Sequence, residues 1–144
     1  MRILVLNGPN LNMLGIREPD IYGKQTYQDL ENYIQAAGEK HGVQVSCMQS
    51  NHEGVLVEAI HAAYGQYDGI VINAAAYTHT SVALLDALKA VALPAVEVHL
   101  SDVHARESFR QVSYVGMACE KMICGLGFAG YEKAIEYLKE TKQN

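Results

Sequence analysis

Two residues that exchange protons readily, Glu97 and His99, stand two positions apart in a short apolar run. Side chains alternate between the two faces of a β-strand, so a strand here puts both on the face opposite Val96 and Val98. A buried carboxylate is costly unless it is paired, and its charge would orient the imidazole and favour the protonated ring. The pair predicts a proton donor near neutral pH, with a purely structural Glu–His contact as the alternative.

A second pair, Arg17 and Tyr22, lies in the long polar stretch 7–23 that follows the first apolar run. Connections in α/β units usually take about 2–6 residues, and longer ones are often binding loops or lids. A nearby guanidinium favours tyrosinate, so Arg17 would help Tyr22 to act as a general base. We predict a loop that closes over a substrate, although a loop tyrosine is more often a packing residue.

Five short apolar runs must position these pairs, at residues 3–6, 43–48, 69–73, 95–100 and 121–126, and helical patterns separate them. Such alternation predicts parallel strands joined by right-handed crossovers. Five strands in 144 residues favour a flavodoxin-like three-layer sandwich with strand order 2-1-3-4-5. Without a repeat or linker, residues 1–144 are expected to form a single catalytic domain.

Capping patterns and apolar faces define the helices between these runs. Thr26 with Asp29, and Ser50 with Glu53, have the spacing of capping boxes. The last helix presents four buried-type residues on one side: Tyr131, Ala134, Ile135 and Leu138.

The third helix, over residues 82–92, is apolar on nearly every side and carries only Asp86 and Lys89 as charges. Because a sheet can cover one side only, this pattern predicts burial against another subunit in a homo-oligomer. Asp86 either pairs with Lys89 within the helix or reaches into a neighbouring subunit's site.

Polar side chains gather where the first, third and fourth strands end, which is where ligands bind in open α/β sheets. They include Asn10, Arg17, Tyr22, Asn73, His79, Glu97, His99, Ser101, Arg106 and Arg110. His79 precedes a helix start, with Thr80 and Ser81 as candidate caps, and free backbone N–H groups there could hold a carboxylate or hydroxyl. Arg106 and Arg110 are four apart, one turn of a short helix, and could clamp an anion or pair with surface acids.

Composition narrows the function further. A net charge of −5 argues against a nucleic-acid partner, and no run of about 18 apolar residues could span a membrane. The first strand starts at residue 2, so we expect no signal peptide and a cytoplasmic protein with three reduced thiols, Cys47, Cys119 and Cys124. No zinc-type spacing is present, so a metal is not expected, and without a nucleotide motif the sequence gives little support to nucleotide binding.

A tyrosinate base, a histidine acid, arginines and amides together predict proton abstraction and leaving-group protonation on a small polar anion. The alternative is a non-catalytic module that binds a small anion on the same fold. A protein that only binds a small anion does not need a general base and a general acid in the same cleft.

Six motifs resemble those of the type II 3-dehydroquinate dehydratases, in order and over essentially the whole chain. They are NGPNLN at 7–12, REP at 17–19 with YG at 22–23, QSNHEG at 49–54, YTHTS at 77–81, EVHLS at 97–101 and HARE at 104–107. The resemblance implies a flavodoxin-like subunit, a dodecamer built as a tetramer of trimers, and no metal or cofactor. It implies the anti elimination of water from 3-dehydroquinate to give 3-dehydroshikimate, in the shikimate pathway or in quinate breakdown.

By the same resemblance Tyr22 is the base that removes the C2 proton, and Arg17 keeps it ionised. Asn10 holds a water against the enolate, and His99, partnered by Glu97, protonates the departing C1 hydroxyl. The positions that correspond to substrate contacts are Asn73, His79, Leu100, Ser101 and Arg110, with Asp86 supplied by the adjacent subunit. Arg106 is predicted as a further substrate contact from its spacing to Arg110.

Three departures from the family pattern leave all these residues in place. Ala74-Ala75 follows Asn73 where the family has Pro-Gly or Pro-Ala, which predicts a less rigid or differently bent loop. Asp102 stands where Asn is common and adds a negative charge near the site. Ser108 and Gln111-Val112 replace the common Pro and His-His.

Overall fold

The computed structural model describes residues 1–16, 20 and 23–143. Five strands alternate with four longer helices over the described residues: β1 Arg2–Asn7, α1 Tyr27–His41, β2 Gln44–Gln49, α2 Glu53–Ala63, β3 Gly69–Asn73, α3 Val82–Val91, β4 Ala95–His99, β5 Lys121–Cys124 and α4 Ala129–Gln143. Short 3₁₀ turns connect them at Leu11–Met13, Ala75–His79, Val103–Ala105, Ser108–Arg110 and Val115–Ala118.

All strand pairs are parallel, and the sheet order is β2-β1-β3-β4-β5. The predicted flavodoxin-like topology is therefore confirmed. The register places Asn7 beside Asn73 and His99 beside Cys124 at the carboxyl ends of their strands. The chain reverses its winding direction between β1 and β3, which opens a cleft at that edge.

Two apolar layers cover the sheet, because buried residues on both strand faces need partners. On one face α1 and α4 pack against strand residues that include Ile3, Val5, Val71, Val96 and Val98. On the other face α2 and α3 pack against Leu4, Leu6, Ile70 and Ile72. Alternation along β4 turns Glu97 and His99 toward the α2–α3 layer.

The first helix begins as predicted. Thr26 accepts a hydrogen bond from the Asp29 backbone N–H at 3.1 Å, and the Asp29 carboxylate accepts one from the Thr26 backbone N–H at 2.9 Å. The capping box predicted at Ser50 is wrong. α2 begins at Glu53, and the Ser50 hydroxyl instead accepts from the His52 backbone N–H at 3.0 Å. The Ser50 backbone N–H donates to the Asn7 carbonyl at 3.0 Å, beyond the last strand pair, so Ser50 is held at the end of the sheet and does not open the helix.

The third helix, α3, meets its second apolar neighbour within the same chain. Ser81 caps it by accepting from the Leu84 N–H at 3.0 Å, and the helix lies between α2 and the 3₁₀ turn Val115–Ala118. Val82, Asp86 and Lys89 remain exposed, and no ion pair joins Asp86 to Lys89 within the described part of the chain. The apolar pattern of this helix therefore does not by itself require a second subunit.

An ion-pair cluster around Glu132 joins the end of α1 to α4. The Glu132 carboxylate accepts from Lys40 at 2.8 Å, His41 at 3.0 Å and Tyr33 at 3.2 Å. The hydrogen bonds from Lys40 and then His41 lower the pKa of Glu132 to about 2. Sequence spacing cannot find this cluster, because two helices remote in sequence supply it.

Among residues 1–16, 20 and 23–143, no helix is long and apolar enough to cross a membrane. None of the three cysteines is paired, and burial raises the pKa of the Cys119 thiol to about 12.

Candidate active site

A cleft that is open to solvent lies at the carboxyl edge of the sheet, between the loops that follow β1, β3 and β4. Eight of the residues predicted for the site line it: Asn10, Asn73, His79, His99, Leu100, Ser101, Arg106 and Arg110.

Glu97 and His99 form the predicted contact on β4. The His99 Nε2–H donates to Glu97 Oε2 at 2.7 Å, and both side chains are almost completely buried. Glu97 lies behind His99, whereas His99 reaches the cleft. With Nε2 bound to the carboxylate, Nδ1 is the ring nitrogen left for a ligand.

Ser113 completes this pair, and the sequence analysis assigned it no role. Its hydroxyl donates to Glu97 Oε2 at 2.6 Å and accepts from the Gly116 backbone N–H at 2.9 Å. Glu97 Oε1 is buried and has no hydrogen-bond partner among the described residues. A Cβ added at Gly116 would lie 2.7 Å from that oxygen, so only glycine fits beside the carboxylate.

His79 enters the cleft from the 3₁₀ turn Ala75–His79. Its Nδ1–H donates to the Val112 carbonyl at 2.8 Å, which assigns the proton to Nδ1 in the neutral ring. Nε2 is then free to accept a hydrogen bond from a ligand hydroxyl. Of the two capping candidates beside His79, Ser81 caps α3 and Thr80 does not.

Asn73 is held by a buried chain of polar groups that the sequence analysis missed. Its Nδ2–H donates to the Tyr131 hydroxyl at 2.9 Å, and Tyr131 donates in turn to Asn7 Oδ1 at 2.6 Å. Asn7 Nδ2–H donates to the Tyr27 hydroxyl at 3.3 Å. Burial raises the pKa of both tyrosines, so both hydroxyls stay protonated.

The loop after Asn73 bends without the family's Pro-Gly. Ala74 has φ −75°, an angle that suits proline, and Ala75 has φ 52°, in the left-handed region that favours glycine. Asn73 Oδ1 accepts from the Ala75 N–H at 3.1 Å and stays directed toward this turn. The departure thus leaves Asn73 on the cleft and places an alanine in a strained conformation.

Asn10 occupies the left-handed region at φ 70°, which asparagine tolerates better than most residues. Its backbone N–H donates to Asn51 Oδ1 at 3.0 Å, and Gln49 Nε2 donates to the Gly8 carbonyl at 3.1 Å. Gln49 is the last residue of β2, the neighbour of β1, and Asn51 follows that strand. The QSN part of the motif at 49–54 therefore braces the loop that carries Asn10.

Arg106 and Arg110 both line the cleft, but the prediction that they share one turn of a helix is wrong. Arg106 ends the turn Val103–Ala105, whereas Arg110 closes the next one, Ser108–Arg110. Glu107 lies between them, with its carboxylate 3.1 Å from Arg110 Nε and 3.7 Å from Arg106 Nε. The hydrogen bond from Arg110 is the main cause of the lowered pKa of Glu107.

Two residues that depart from the family pattern, Gln111 and Asp102, stabilise the loop that carries Arg106 and Arg110. Gln111 Nε2 donates to the Val103 carbonyl at 2.9 Å and to the carbonyls of Arg106 and Glu107 at 3.3 Å. Asp102 Oδ1 accepts from the His104 backbone N–H at 3.0 Å, so its charge caps the first turn.

Of the remaining predicted residues, Arg17 and Tyr22 lie outside the described part of the chain. Asp86 is exposed on α3 and does not line the cleft.

The described residues hold one group with potential metal ligands, His41, Glu132 and Glu136, and it lies at the α1–α4 contact. Lys40 already occupies the same Glu132 oxygen at 2.8 Å, so this is an ion-pair cluster.

Fold and cleft together define a flavodoxin-like α/β protein whose binding site combines imidazole, amide and guanidinium groups. The family model described as "Dehydroquinase class II" matches residues 1–139. The chain belongs to the class II dehydroquinase family.

Relatives and solved structures agree with this assignment. A 3-dehydroquinate dehydratase of Ruegeria pomeroyi is 55% identical over 136 residues, covering 94% of this chain and 91% of that protein. One from Corynebacterium glutamicum is 54% identical over 142 residues, covering 99% and 98%. The crystal structure of a type II dehydroquinase from Butyrivibrio crossotus superimposes with a TM-score of 0.94 at 48% identity, covering 96% of this chain and 97% of that one.

Proposed function

We propose that this protein is a 3-dehydroquinate dehydratase that eliminates water in the anti sense to give 3-dehydroshikimate. The single observation that carries the proposal is the buried Glu97–His99 pair that opens onto the cleft of a class II dehydroquinase fold. The product belongs to the shikimate pathway. Residues 1–144 act as a single catalytic domain.

His99 is the general acid in this proposal. It protonates the C1 hydroxyl as that group leaves, and Glu97 stabilises the imidazolium. The 2.7 Å contact between Glu97 Oε2 and His99 Nε2 supports the assignment, because it fixes the ring and leaves Nδ1 toward the cleft.

Tyr22 is the general base, and it removes the C2 proton next to the ketone. Arg17 keeps it ionised, and the electrons of the broken C–H bond pass into an enolate. A water held by Asn10 stabilises that enolate. The position of Asn10 on the cleft wall supports its part in this step.

The substrate carboxylate and hydroxyls are bound by the rest of the cleft. Arg106 and Arg110 supply cationic donors, and His79 Nε2 accepts from a hydroxyl. Ser101 and Asn73 supply polar contacts at the strand ends, and Leu100 packs beside them. Side chains and one water carry every step, so the proposed reaction uses neither a metal nor a cofactor.

The same proposal includes a cytoplasmic homo-oligomer, a dodecamer built as a tetramer of trimers. Asp86 then acts in the site of the adjacent subunit. Its exposure on α3 and its lack of an ion pair with Lys89 among the described residues support this assignment.

The test is to add 3-dehydroquinate to purified protein and follow the conjugated enone of the product by ultraviolet absorption. His99→Ala and Tyr22→Phe are expected to lower kcat severely while the circular dichroism spectrum is unchanged. Ser108→Ala, at an exposed serine that does not line the cleft, is the control that should retain activity. Absence of the enone at every pH would refute the function, and near-normal turnover by Tyr22→Phe would reassign the base.

The alternative of a non-catalytic anion-binding module makes a different prediction. Such a protein would bind 3-dehydroquinate in a calorimeter and return it unchanged. The family membership and the buried acid on β4 favour the enzyme.

A further inference from the structure

Ser113 contacts the buried carboxylate from outside the strand that carries it. It lies in the connection between β4 and β5, and its Oγ is 2.6 Å from Glu97 Oε2. The same oxygen is 2.7 Å from His99 Nε2. One carboxylate oxygen therefore accepts both hydrogen bonds, while Oε1 accepts none from the described residues.

The direction of the serine hydrogen bond is determined by its surroundings. The Gly116 backbone N–H donates to Ser113 Oγ at 2.9 Å, which occupies a lone pair of the hydroxyl. A serine hydroxyl has one proton, and the carboxylate is the acceptor within reach. Ser113 must therefore donate to Glu97.

Backbone packing keeps this arrangement in place. Gly116 approaches so closely that a Cβ there would lie 2.9 Å from Ser113 Oγ and 2.7 Å from Glu97 Oε1. The turn Val115–Ala118 that holds Gly116 packs on α3 and β4. The Glu97 carboxylate therefore lies between its own strand, β4, and the turn Val115–Ala118, and it has little room to rotate.

We propose that Ser113 is a positioning residue for the His99 proton donor, acting through Glu97; this rests on the function proposed above. By holding Oε2 in one place, Ser113 sets the angle at which the imidazole presents Nδ1 to the leaving hydroxyl. Because Ser113 donates to the same oxygen, it also weakens the attraction between the Glu97 carboxylate and the imidazolium proton of His99. Ser113 has no contact with the substrate in this scheme.

The described surroundings of the pair include apolar side chains, two thiols and two guanidinium groups. The residues beside Glu97 on the neighbouring strands are Ile72 and Met122, both apolar. Of the described titratable groups, the thiols Cys119 and Cys124 lie near the carboxylate, and burial raises the pKa of each. On the cleft side, Arg106 and Arg110 share the lining with His99.

Ser113→Ala tests the proposal in the full-length enzyme. We expect kcat to fall about tenfold or more with KM changed less than about twofold, because the loss acts on the acid step alone. The alkaline limb of the kcat–pH profile should move to higher pH, because Glu97 without its serine donor holds the His99 proton more strongly. If Ser113 had only a structural role, Ser113→Ala would change neither the kcat–pH profile nor the ratio of kcat to KM.

Three further variants make the outcome decisive. Ser113→Thr keeps the hydroxyl and is expected to restore most of kcat. Ser113→Cys has a weaker donor of similar size, should fall between serine and alanine, and carries the test if the alanine variant does not fold. Ser108→Ala is the matched serine control and should resemble the wild type.

Wild-type kcat and an unshifted pH profile in folded Ser113→Ala would overturn the positioning role while the proposed reaction stands. Equal loss in the threonine and alanine variants would overturn it too, because the hydroxyl would not be the cause. A wild-type protein without any turnover would instead refute the function itself.

Discussion

Tyr131→Phe removes one oxygen atom from the centre of the fold. The Tyr131 side chain is completely buried, its hydroxyl donates to Asn7 Oδ1 at 2.6 Å, and it accepts from Asn73 Nδ2 at 2.9 Å. Phenylalanine fills almost the same volume, so no large cavity forms. The substitution leaves a carbonyl oxygen and an amide N–H buried without these partners.

The magnitude follows from those two groups. Each buried polar group left unsatisfied costs about 1–3 kcal/mol, so for two groups we expect the free energy of unfolding to fall by about 2–6 kcal/mol. For a chain of this length that corresponds to a Tm lower by roughly 7–20 °C. Because Asn73 loses a fixed partner, KM for 3-dehydroquinate should rise more than kcat falls.

Urea unfolding followed by circular dichroism measures the stability, and steady-state kinetics measures KM. Tyr137→Phe is the matched control on the same helix. Its ring lies under Lys121 Nζ at 5.3 Å, and its hydroxyl has no hydrogen bond to another described residue, so its loss should be nearly neutral. A loss below about 0.5 kcal/mol in Tyr131→Phe, equal to that of the control, would refute this account of the buried network.

Two other perturbations have signs set by the structure. Ala75→Gly should raise Tm by about 2–3 °C, because φ 52° is strained for alanine. Ala92→Gly, at φ 55° and away from the cleft, should raise Tm by a similar amount. A lower Tm for Ala75→Gly would contradict this explanation. Glu132 has its pKa lowered from 4.5 to about 2 by Lys40 and His41, so its stabilisation is present above about pH 4.5 and is lost as the pH falls toward 2. Thermal melts of Glu132→Gln should therefore differ from wild type most at pH 7 and least near pH 2, and a difference independent of pH would contradict this.

Local periodicity was sufficient to predict the half of the site that lies on β4. Strand alternation depends on the backbone alone, so the shared face of Glu97 and His99 followed from their spacing. The sheet order followed similarly from the alternation of strands and helices. The helical pattern also predicted that Tyr131 lies on the buried face of the last helix, but it did not predict the hydrogen bonds of its hydroxyl.

The errors and omissions have a common physical cause. Ser113 and Tyr131 reach their partners across 16 and 58 or more positions, through connections whose path no periodic pattern describes. Ser50 had the spacing of a cap, but its backbone N–H pairs with the Asn7 carbonyl at the end of β1. Arg106 and Arg110 had helical spacing, but the loop is divided into two 3₁₀ turns.

The hydrogen bond between Tyr131 and Asn7 joins residues 124 positions apart. During synthesis β1 is therefore made long before Tyr131, whose hydroxyl donates a hydrogen bond to Asn7 at the end of that strand. Strands β1 and β3 can pair early, but their buried amides lack Tyr131 until α4 has been made and docks. Ribosomes stalled before residue 131 should thus carry a chain with an incomplete core, and assembly of the cleft becomes a late step that depends on contacts of long sequence separation.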